Sequence, residues 1–216
     1  GWGLTETSPC CTLTNPFLKR VTGVVGNPIP GVSLRIVDEE IQVKGPNVML
    51  GYYKNEEANK EAFSSDGWYR TGDVGVITDT GLKLISRKDR IFKLSNGEKV
   101  VPTDLERIIE LKCHYVQHVI VSGSGENYPV ALIFPNQKLL EKPDYEISPE
   151  EGCFCPRNLN ELGKCLRGCL GDTNKDIGQK FSKIRSAAII NSQLNLDDRT
   201  LTPSMKVAPK SVLEKY

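Results

Sequence analysis

The sequence predicts an α+β protein in which a β-rich first part is followed by a smaller domain of mixed helices and strands. Short apolar runs that alternate with polar residues, separated by turn sequences, fill the first 86 residues. After residue 100, helical and strand patterns follow in the order α-β-β-α-α-β. Apolar residues make up 38% of the 216 residues, which is enough to bury a core.

Two β-hairpins are predicted in the first part. Residues 32–43 alternate apolar and polar side chains on either side of an acidic turn at 38–40. The second hairpin covers residues 76–85, with Asp79-Thr80-Gly81 as its turn. Between the hairpins, residues 55–63 predict a short charged helix, in which Asn55 is the cap and two glutamates fill the first turn.

The second part begins with a helix that runs through Leu111. Thr103 and Glu106 have the spacing of a capping box, in which the hydroxyl and the carboxylate each bond a free amide. The remaining predicted elements are strands at 116–121, 130–134 and 186–190 and helices at 158–170 and 176–184, with a polar loop at 135–152. The charged segment 86–90 separates the two patterns, so we place the domain boundary between residues 86 and 87.

The net charge is +1 and 25% of the residues are charged. This balance gives no electrostatic reason to expect nucleic acid or an anionic membrane as a partner. The apolar runs are too short to span a bilayer. Peripheral association with a membrane is compatible with these features.

Seven cysteines, an odd number, predict a reducing, cytoplasmic environment for a chain that does not need disulfides to fold. One suggestive cluster contains Cys153, Cys155, Cys165 and Cys169. These thiols could hold a structural zinc ion, although their spacing differs from the usual pair of zinc knuckles. The alternative is that they are small, half-buried apolar side chains.

Two short segments carry side chains suited to binding a nucleotide. Trp2, Gly3, Thr5 and Glu6 combine a base-stacking ring, a small residue, a hydroxyl for phosphate and a carboxylate for Mg²⁺. Asp73 follows a glycine and could accept hydrogen bonds from a ribose diol. Each has a structural alternative: Trp2 could be core packing, and Asp73 could bond its own backbone in a turn.

Three further segments are chemically suggestive. The charges at 87–93, which include Arg87 and Asp89, are typical of a solvated linker. Asn96-Gly97 is a strong turn signal. Lys206, in a loop with Pro203 and Ser204, would be either surface or a mobile cation brought to an anionic transition state.

The order and spacing of these segments resemble the adenylate-forming enzymes, which include acyl-coenzyme A synthetases, peptide-synthetase adenylation domains and luciferases. The variants LSNGE and LTPSMK are most similar to the long-chain fatty acyl-coenzyme A synthetases. The resemblance covers nearly the whole chain and rests on GWGLTETSP at 1–9, EIQVKGPNVMLGYY at 40–53, GWYRTGD at 67–73, SRKDRIFKLSNGE at 86–98 and TPSMK at 202–206.

The resemblance implies an enzyme that joins a carboxylic acid to AMP, using ATP and Mg²⁺, and passes the acyl group to coenzyme A. It also implies a role for each nucleotide-site residue. In the nucleotide loop that contains Gly3, Trp2 replaces the family's usual tyrosine against adenine, Thr5 contacts phosphate and Glu6 holds Mg²⁺. Further along the chain, Asp73 binds both ribose hydroxyls and Arg87 reaches ribose or phosphate.

Three residues are implied to serve the movement between half-reactions. Asp89 corresponds to the hinge, Gly97 lies in the loop that faces the pantetheine tunnel, and Lys206 meets the carboxylate and the α-phosphate during adenylation. Residues 1–86 would then be the end of the large AMP-binding domain, and residues 87–216 the mobile C-terminal lid domain.

The family's Ser/Thr/Gly-rich phosphate loop is absent from this sequence. We therefore expect a C-terminal fragment that is inactive alone, with the missing N-terminal domain as its intramolecular partner. Coenzyme A is the expected acceptor, with an acyl-carrier protein, or release of acyl-AMP, as alternatives. A non-catalytic interaction module, with zinc bound through the cysteine cluster, is the alternative from another class.

Overall fold

The computed structural model describes residues 1–17, 21–141 and 156–216. It divides into two compact units, Gly1–Arg90 and Ile91–Tyr216, and each contains its own sheets and helices. The α+β class is therefore confirmed. The division falls slightly after the boundary placed at residue 86, because a strand continues through Arg87 and a 3₁₀ turn at Lys88–Arg90 packs against the first unit.

The first unit is built around a four-stranded antiparallel sheet, in the order β3-β4-β5-β6. A small antiparallel pair, β1 with β2, lies outside this sheet. In chain order the elements are β1 (Thr12–Leu13), β2 (Asn27–Pro28), β3 (Ser33–Val37), β4 (Glu40–Lys44), α1 (Glu56–Ala62), β5 (Tyr69–Thr78) and β6 (Gly81–Arg87).

Both predicted hairpins are confirmed. Asp38 and Glu39 join β3 to β4 and both have positive φ, 50° and 67°, as a two-residue hairpin turn requires. The second hairpin pairs β5 with β6. Helix α1 is also confirmed, with the Asn55 side chain accepting a hydrogen bond from the Ala58 amide. Because β5 begins at Tyr69, the segment that contains Asp73 lies within a strand.

Strand β4 is buried along Glu40–Val43, so its polar side chains do not face solvent as a simple alternating pattern predicts. The Gln42 amide oxygen accepts a hydrogen bond from Arg35 Nε at 2.8 Å. Glu40 also has partners, which are described with the site below. Buried polar groups of this kind are tolerated because they are hydrogen-bonded.

The second unit has a three-stranded sheet in the order β11-β10-β9, with β9 antiparallel and β11 parallel to β10. Helices α2 and α4 supply the larger core on one face, and α5 contributes Val212 to a smaller cluster with Ile120 and Phe134. The elements are β7 (Phe92–Lys93), β8 (Lys99–Val100), α2 (Pro102–Lys112), β9 (Val116–Ser122), β10 (Val130–Pro135), α3 (Gln137–Glu141), α4 (Leu159–Asp176), β11 (Ser186–Ile189) and α5 (Pro209–Lys215).

The predicted capping box is wrong. Helix α2 begins with Pro102 at its first position, and Val101 is its N-cap. Proline suits this position because its fixed φ is already helical and its missing N–H would be unpaired there. Thr103 therefore lies inside the first turn, and Glu106 accepts a hydrogen bond from the Val121 amide in β9.

The three strands predicted in this unit are confirmed, but several helix limits are wrong. Helix α4 extends to Asp176, and residues 176–184 form only a 3₁₀ turn at Lys180–Ser182. Helix α3 occupies part of the predicted loop 135–152, and α5 was not predicted. Within the described ranges, no helix combines the length and the apolar character needed to cross a bilayer.

Candidate active site

Three of the predicted residues meet at the carboxylate of Asp73, in the first unit. The Trp2 indole Nε1 donates to Asp73 Oδ2 at 2.8 Å, although the two residues are 71 positions apart. Arg87 Nη1 donates to Asp73 Oδ1 at 2.9 Å. The Asp73 side chain is 12% exposed and that of Arg87 is 49% exposed, so this charged pair lies at the edge of the core.

Thr71 fixes the backbone beneath this carboxylate. Its hydroxyl donates to the Ile41 carbonyl at 2.7 Å and accepts from the Asp73 amide at 3.1 Å. The pairing of β4 with β5 shifts register between Glu40 and Gln42, so the hydroxyl replaces part of the regular ladder there. Arg87 Nη1 also donates to the Thr71 carbonyl at 3.0 Å, which ties the guanidinium to the same turn of chain.

A buried carboxylate supports the other side of this segment. Glu40 Oε1 accepts from the Gly72 amide at 2.9 Å, and Oε2 accepts from Lys88 Nζ at 3.0 Å. Gly72 has a φ of +70°, which favours glycine. Asp89, the predicted hinge, is 74% exposed, with Oδ1 3.9 Å from Arg87 Nε.

The N-terminal loop is held against the sheet by close backbone contacts. Trp2 and Thr12 form a β-bridge, and a Cβ added to Gly3 would lie 1.7 Å from the Pro9 carbonyl oxygen. No other residue fits at Gly3 unless the loop moves. A 3₁₀ turn at Thr5–Thr7 follows and leaves Thr5 exposed and Glu6 half-buried.

Glu6 is oriented by a tyrosine. The Tyr52 hydroxyl donates to Glu6 Oε1 at 3.0 Å, and the Met49 amide donates to the Glu6 carbonyl at 2.8 Å. Burial is the main cause that raises the pKa of the neighbouring Tyr69, and a hydrogen bond with Tyr52 is the second, so the Tyr69 hydroxyl stays protonated. The bond from Tyr52 to Glu6 occupies one oxygen of the half-buried Glu6 carboxylate.

Gly97 and Lys206 belong to the second unit. Gly97, with a φ of +82°, lies in the turn that joins β7 to β8, and a Cβ there would meet open space. The Lys206 amide donates to the Thr202 hydroxyl at 3.1 Å, and the Thr202 amide donates back to the Lys206 carbonyl at 2.8 Å. In the described part of the chain, the exposed Lys206 ammonium has no hydrogen-bond or ion-pair partner.

Sequence reasoning missed four supporting residues: Glu40, Tyr52, Tyr69 and Thr71. All four lie inside the motifs that carry the resemblance, so the signal was present, but their roles depend on contacts between distant strands. Of the suggestive cysteines, Cys153 and Cys155 lie outside the described residues. Cys165 and Cys169 lie on α4, next to Cys113.

Comparison with known proteins gives two family matches. Residues 1–53 match the AMP-binding enzyme family, and residues 89–151 match the AMP-binding enzyme C-terminal domain. The chain is 33% identical to the long-chain-fatty-acid–CoA ligase 6 of Mus musculus, covering 100% of this chain and 33% of that protein. It is 31% identical to the long-chain-fatty-acid–[acyl-carrier-protein] ligase AEE15 of Arabidopsis thaliana, covering 100% of this chain and 31% of that protein.

The fold is also similar to a solved structure, the adenylation domain of a carboxylate reductase from Mycobacterium chelonae. The TM-score is 0.70 at 25% identity, over 90% of this chain and 31% of that one. The chain thus spans about a third of the length of the curated relatives that it matches. Both matched families describe parts of one kind of enzyme and occur here in sequence order. The chain therefore belongs to the AMP-binding enzyme family, the adenylate-forming enzymes.

Proposed function

We propose that this chain is the C-terminal part of an ATP-dependent acyl-coenzyme A ligase acting on a long-chain fatty acid. The convergence of Trp2 and Arg87 on the Asp73 carboxylate carries the proposal. The names of the relatives support the substrate class. A cytoplasmic location is part of the same proposal.

Asp73 is suited to bind the ribose of ATP. An ionised carboxylate offers about four lone-pair positions. Trp2 and Arg87 each occupy one position, on different oxygens, which leaves acceptor capacity for two ribose hydroxyls. The two donors also fix the orientation of the carboxylate, so a ligand does not have to order it.

Glu6 and Thr5 are suited to a magnesium ion that accompanies the triphosphate. Mg²⁺ prefers hard oxygen ligands and is commonly held by one or two carboxylates together with substrate phosphates. One Glu6 oxygen is held by Tyr52, which orients the group without neutralising it. When bound, the ion would balance the negative charge of the phosphates.

In adenylation, a carboxylate oxygen of the fatty acid attacks the α-phosphorus, and the bond to pyrophosphate breaks. The nucleophile is already ionised, so no general base is needed. Negative charge grows on the phosphoryl oxygens, and a lysine ammonium would stabilise it. Lys206 can fill this role because its ammonium is exposed and not committed to an ion pair within the described residues.

In the second half-reaction, the thiol gives its proton to solvent, the thiolate sulfur bonds to the acyl carbonyl carbon, and the bond from that carbon to the phosphate oxygen of AMP breaks. This step does not need Lys206, so a change of position at Asp89 would let Gly97 approach the thiol arm instead. Gly97 presents open backbone with no side chain, as close approach of a ligand requires. Coenzyme A is the proposed acceptor, and saturable dependence on coenzyme A in the intact enzyme tests it against a carrier protein.

The decisive experiment substitutes Lys206→Ala in the intact enzyme and measures the two steps separately. The rate of adenylation, measured as pyrophosphate release, should fall by about 100-fold or more. Acyl transfer from supplied acyl-AMP should stay within about twofold. Lys210→Ala, at another exposed lysine in α5, is the matched control and should change neither step. Equal losses in both steps would contradict the role proposed for Lys206.

The 216-residue chain alone should not make acyl-AMP, because its sequence holds no Ser/Thr/Gly-rich phosphate loop. Incubation with ATP, Mg²⁺ and a fatty acid, followed by a pyrophosphate assay, tests this expectation. Steady pyrophosphate release above a no-protein blank would show that the phosphate-binding machinery lies within these residues after all.

A further inference from the structure

Three thiols converge in the second unit, and none of them is assigned to the nucleotide. Cys113 is the C-cap of α2, and Cys165 and Cys169 lie four residues apart on α4. Residues at this spacing share one face of a helix. The three Sγ atoms all lie within 4.8 Å of one another.

This separation suits a shared ion. Two thiolates bound to one zinc-like ion, at about 2.3 Å each, lie less than about 4.6 Å apart. The cluster therefore needs only small side-chain rotations to close around a metal. Cys113 and Cys165 are buried and Cys169 is half-buried, so one side of the cluster remains open for exchange and for a water ligand.

The donor set selects the kind of ion. Thiolates are soft ligands and favour Zn²⁺, Cd²⁺ and Cu⁺ over Mg²⁺ or Ca²⁺. Three protein ligands with one open position is a known zinc arrangement. The Lys112 ammonium, one residue before Cys113, bonds the Asp172 carbonyl and pairs with Asp176, so the end of α2 is already tied to α4 beside the cluster.

We propose that Cys113, Cys165 and Cys169 form a binding site for one thiophilic metal ion, with Zn²⁺ as the natural occupant. The ion joins the end of α2 to the middle of α4 and so fastens two helices of the main core. This site differs from the four-cysteine cluster that was one of two interpretations of the sequence, because it takes its third ligand from α2.

The thiols must lose their protons to bind the metal ion. A hydrogen bond with Cys169, together with burial, raises the pKa of Cys113, so this thiol is neutral before a metal binds. Each thiol that ligates the metal gives its proton to the buffer, and no oxidant or reductant is involved.

Cd²⁺ is the probe, because thiolate coordination gives it an ultraviolet charge-transfer band. The 216-residue chain is reduced, stripped with a chelator and titrated with Cd²⁺ without oxygen. We expect one tightly bound ion per chain, the charge-transfer band, and competition by Zn²⁺. Cys113→Ala and Cys165→Ala should each weaken binding by more than about tenfold, since each removes one of three ligands.

Cys10→Ala is the matched control, because Cys10 is a half-buried free thiol in the first unit, and it should bind Cd²⁺ as the unsubstituted chain does. Cys169→Ser guards against misfolding, since this position is only half-buried. Zn²⁺ should raise the thermal midpoint of the unsubstituted chain but not that of Cys169→Ser. Unchanged Cd²⁺ affinity in the cluster variants, or an equal midpoint shift in Cys169→Ser, would overturn the proposal.

Discussion

Replacing Thr71 by valine tests how the candidate nucleotide site is held together. Valine keeps the shape of threonine but removes the hydroxyl, which is buried within a residue only 3% exposed. The Ile41 carbonyl and the Asp73 amide each lose a hydrogen-bond partner, at 2.7 and 3.1 Å. A buried backbone group left unpaired costs about 1–3 kcal/mol, so for these two groups we expect a loss of about 2–6 kcal/mol in the free energy of unfolding.

Tryptophan fluorescence isolates the relevant unit, because the two tryptophans, Trp2 and Trp68, both lie within Gly1–Arg90. Urea unfolding followed by this signal reports the first unit. With a slope of about 1.5 kcal/mol/M, a loss of 3 kcal/mol lowers the midpoint by about 2 M.

Thr71→Ser is the matched control, since it keeps the hydroxyl and removes only a methyl group. Its expected cost is about 1 kcal/mol. The reasoning would be refuted if Thr71→Val were no less stable than Thr71→Ser. That result would mean that water or a shifted backbone satisfies Ile41 and Asp73, and that the threonine methyl matters more than its hydroxyl.

Two further substitutions in the first unit, Gly3→Ala and Asp66→Asn, are tested by urea unfolding, and Gly168→Ala in the second unit is compared with the first of them. Gly3→Ala should destabilise the first unit by about 3 kcal/mol, because the new Cβ would overlap the Pro9 carbonyl. Gly168→Ala, where a helical glycine faces open space, should stabilise α4 by about 0.5–1 kcal/mol, measured by urea unfolding with far-ultraviolet ellipticity as the signal. Equal effects of the two substitutions would contradict this reasoning. The Arg35 guanidinium, hydrogen-bonded to Asp66, lowers the pKa of that carboxyl. The pair therefore stabilises the folded chain above the usual aspartate pKa of about 4, and this stabilisation is lost as the pH falls below that value. The urea midpoint of the unsubstituted chain should therefore fall more between about pH 5 and 2 than that of Asp66→Asn, and parallel curves would show that the pair contributes nothing.

Local sequence patterns predicted the helices and strands whose stabilising contacts lie between residues close together in the sequence. The hairpin at 32–43 was predictable because its alternation and its turn residues lie within twelve positions. Helix α5 was not, because seven residues with one buried contact, Val212, have little helical signal of their own. The length of α4 depends likewise on packing, since its glycines favour an earlier end.

The candidate site shows the same limit. The motif series identified Trp2, Asp73 and Arg87, but nothing local indicates that an indole N–H reaches a carboxylate 71 positions away. The partners of Glu40 depend on an irregularity in strand pairing, which periodicity does not report. The Cys113–Cys165–Cys169 grouping was missed for a related reason: Cys113 approaches α4 only after the second unit has folded.

The Glu40 carboxylate has a structural consequence for the first unit. One of its oxygens holds the Gly72 amide within the sheet, and the other holds Lys88, the residue just before Asp89. One buried carboxylate therefore joins two separate parts of the first unit, the Gly72 backbone within β5 and the Lys88 side chain that follows β6. Loss of Glu40 would release both partners at once and leave the Gly72 amide and the Lys88 ammonium without this acceptor.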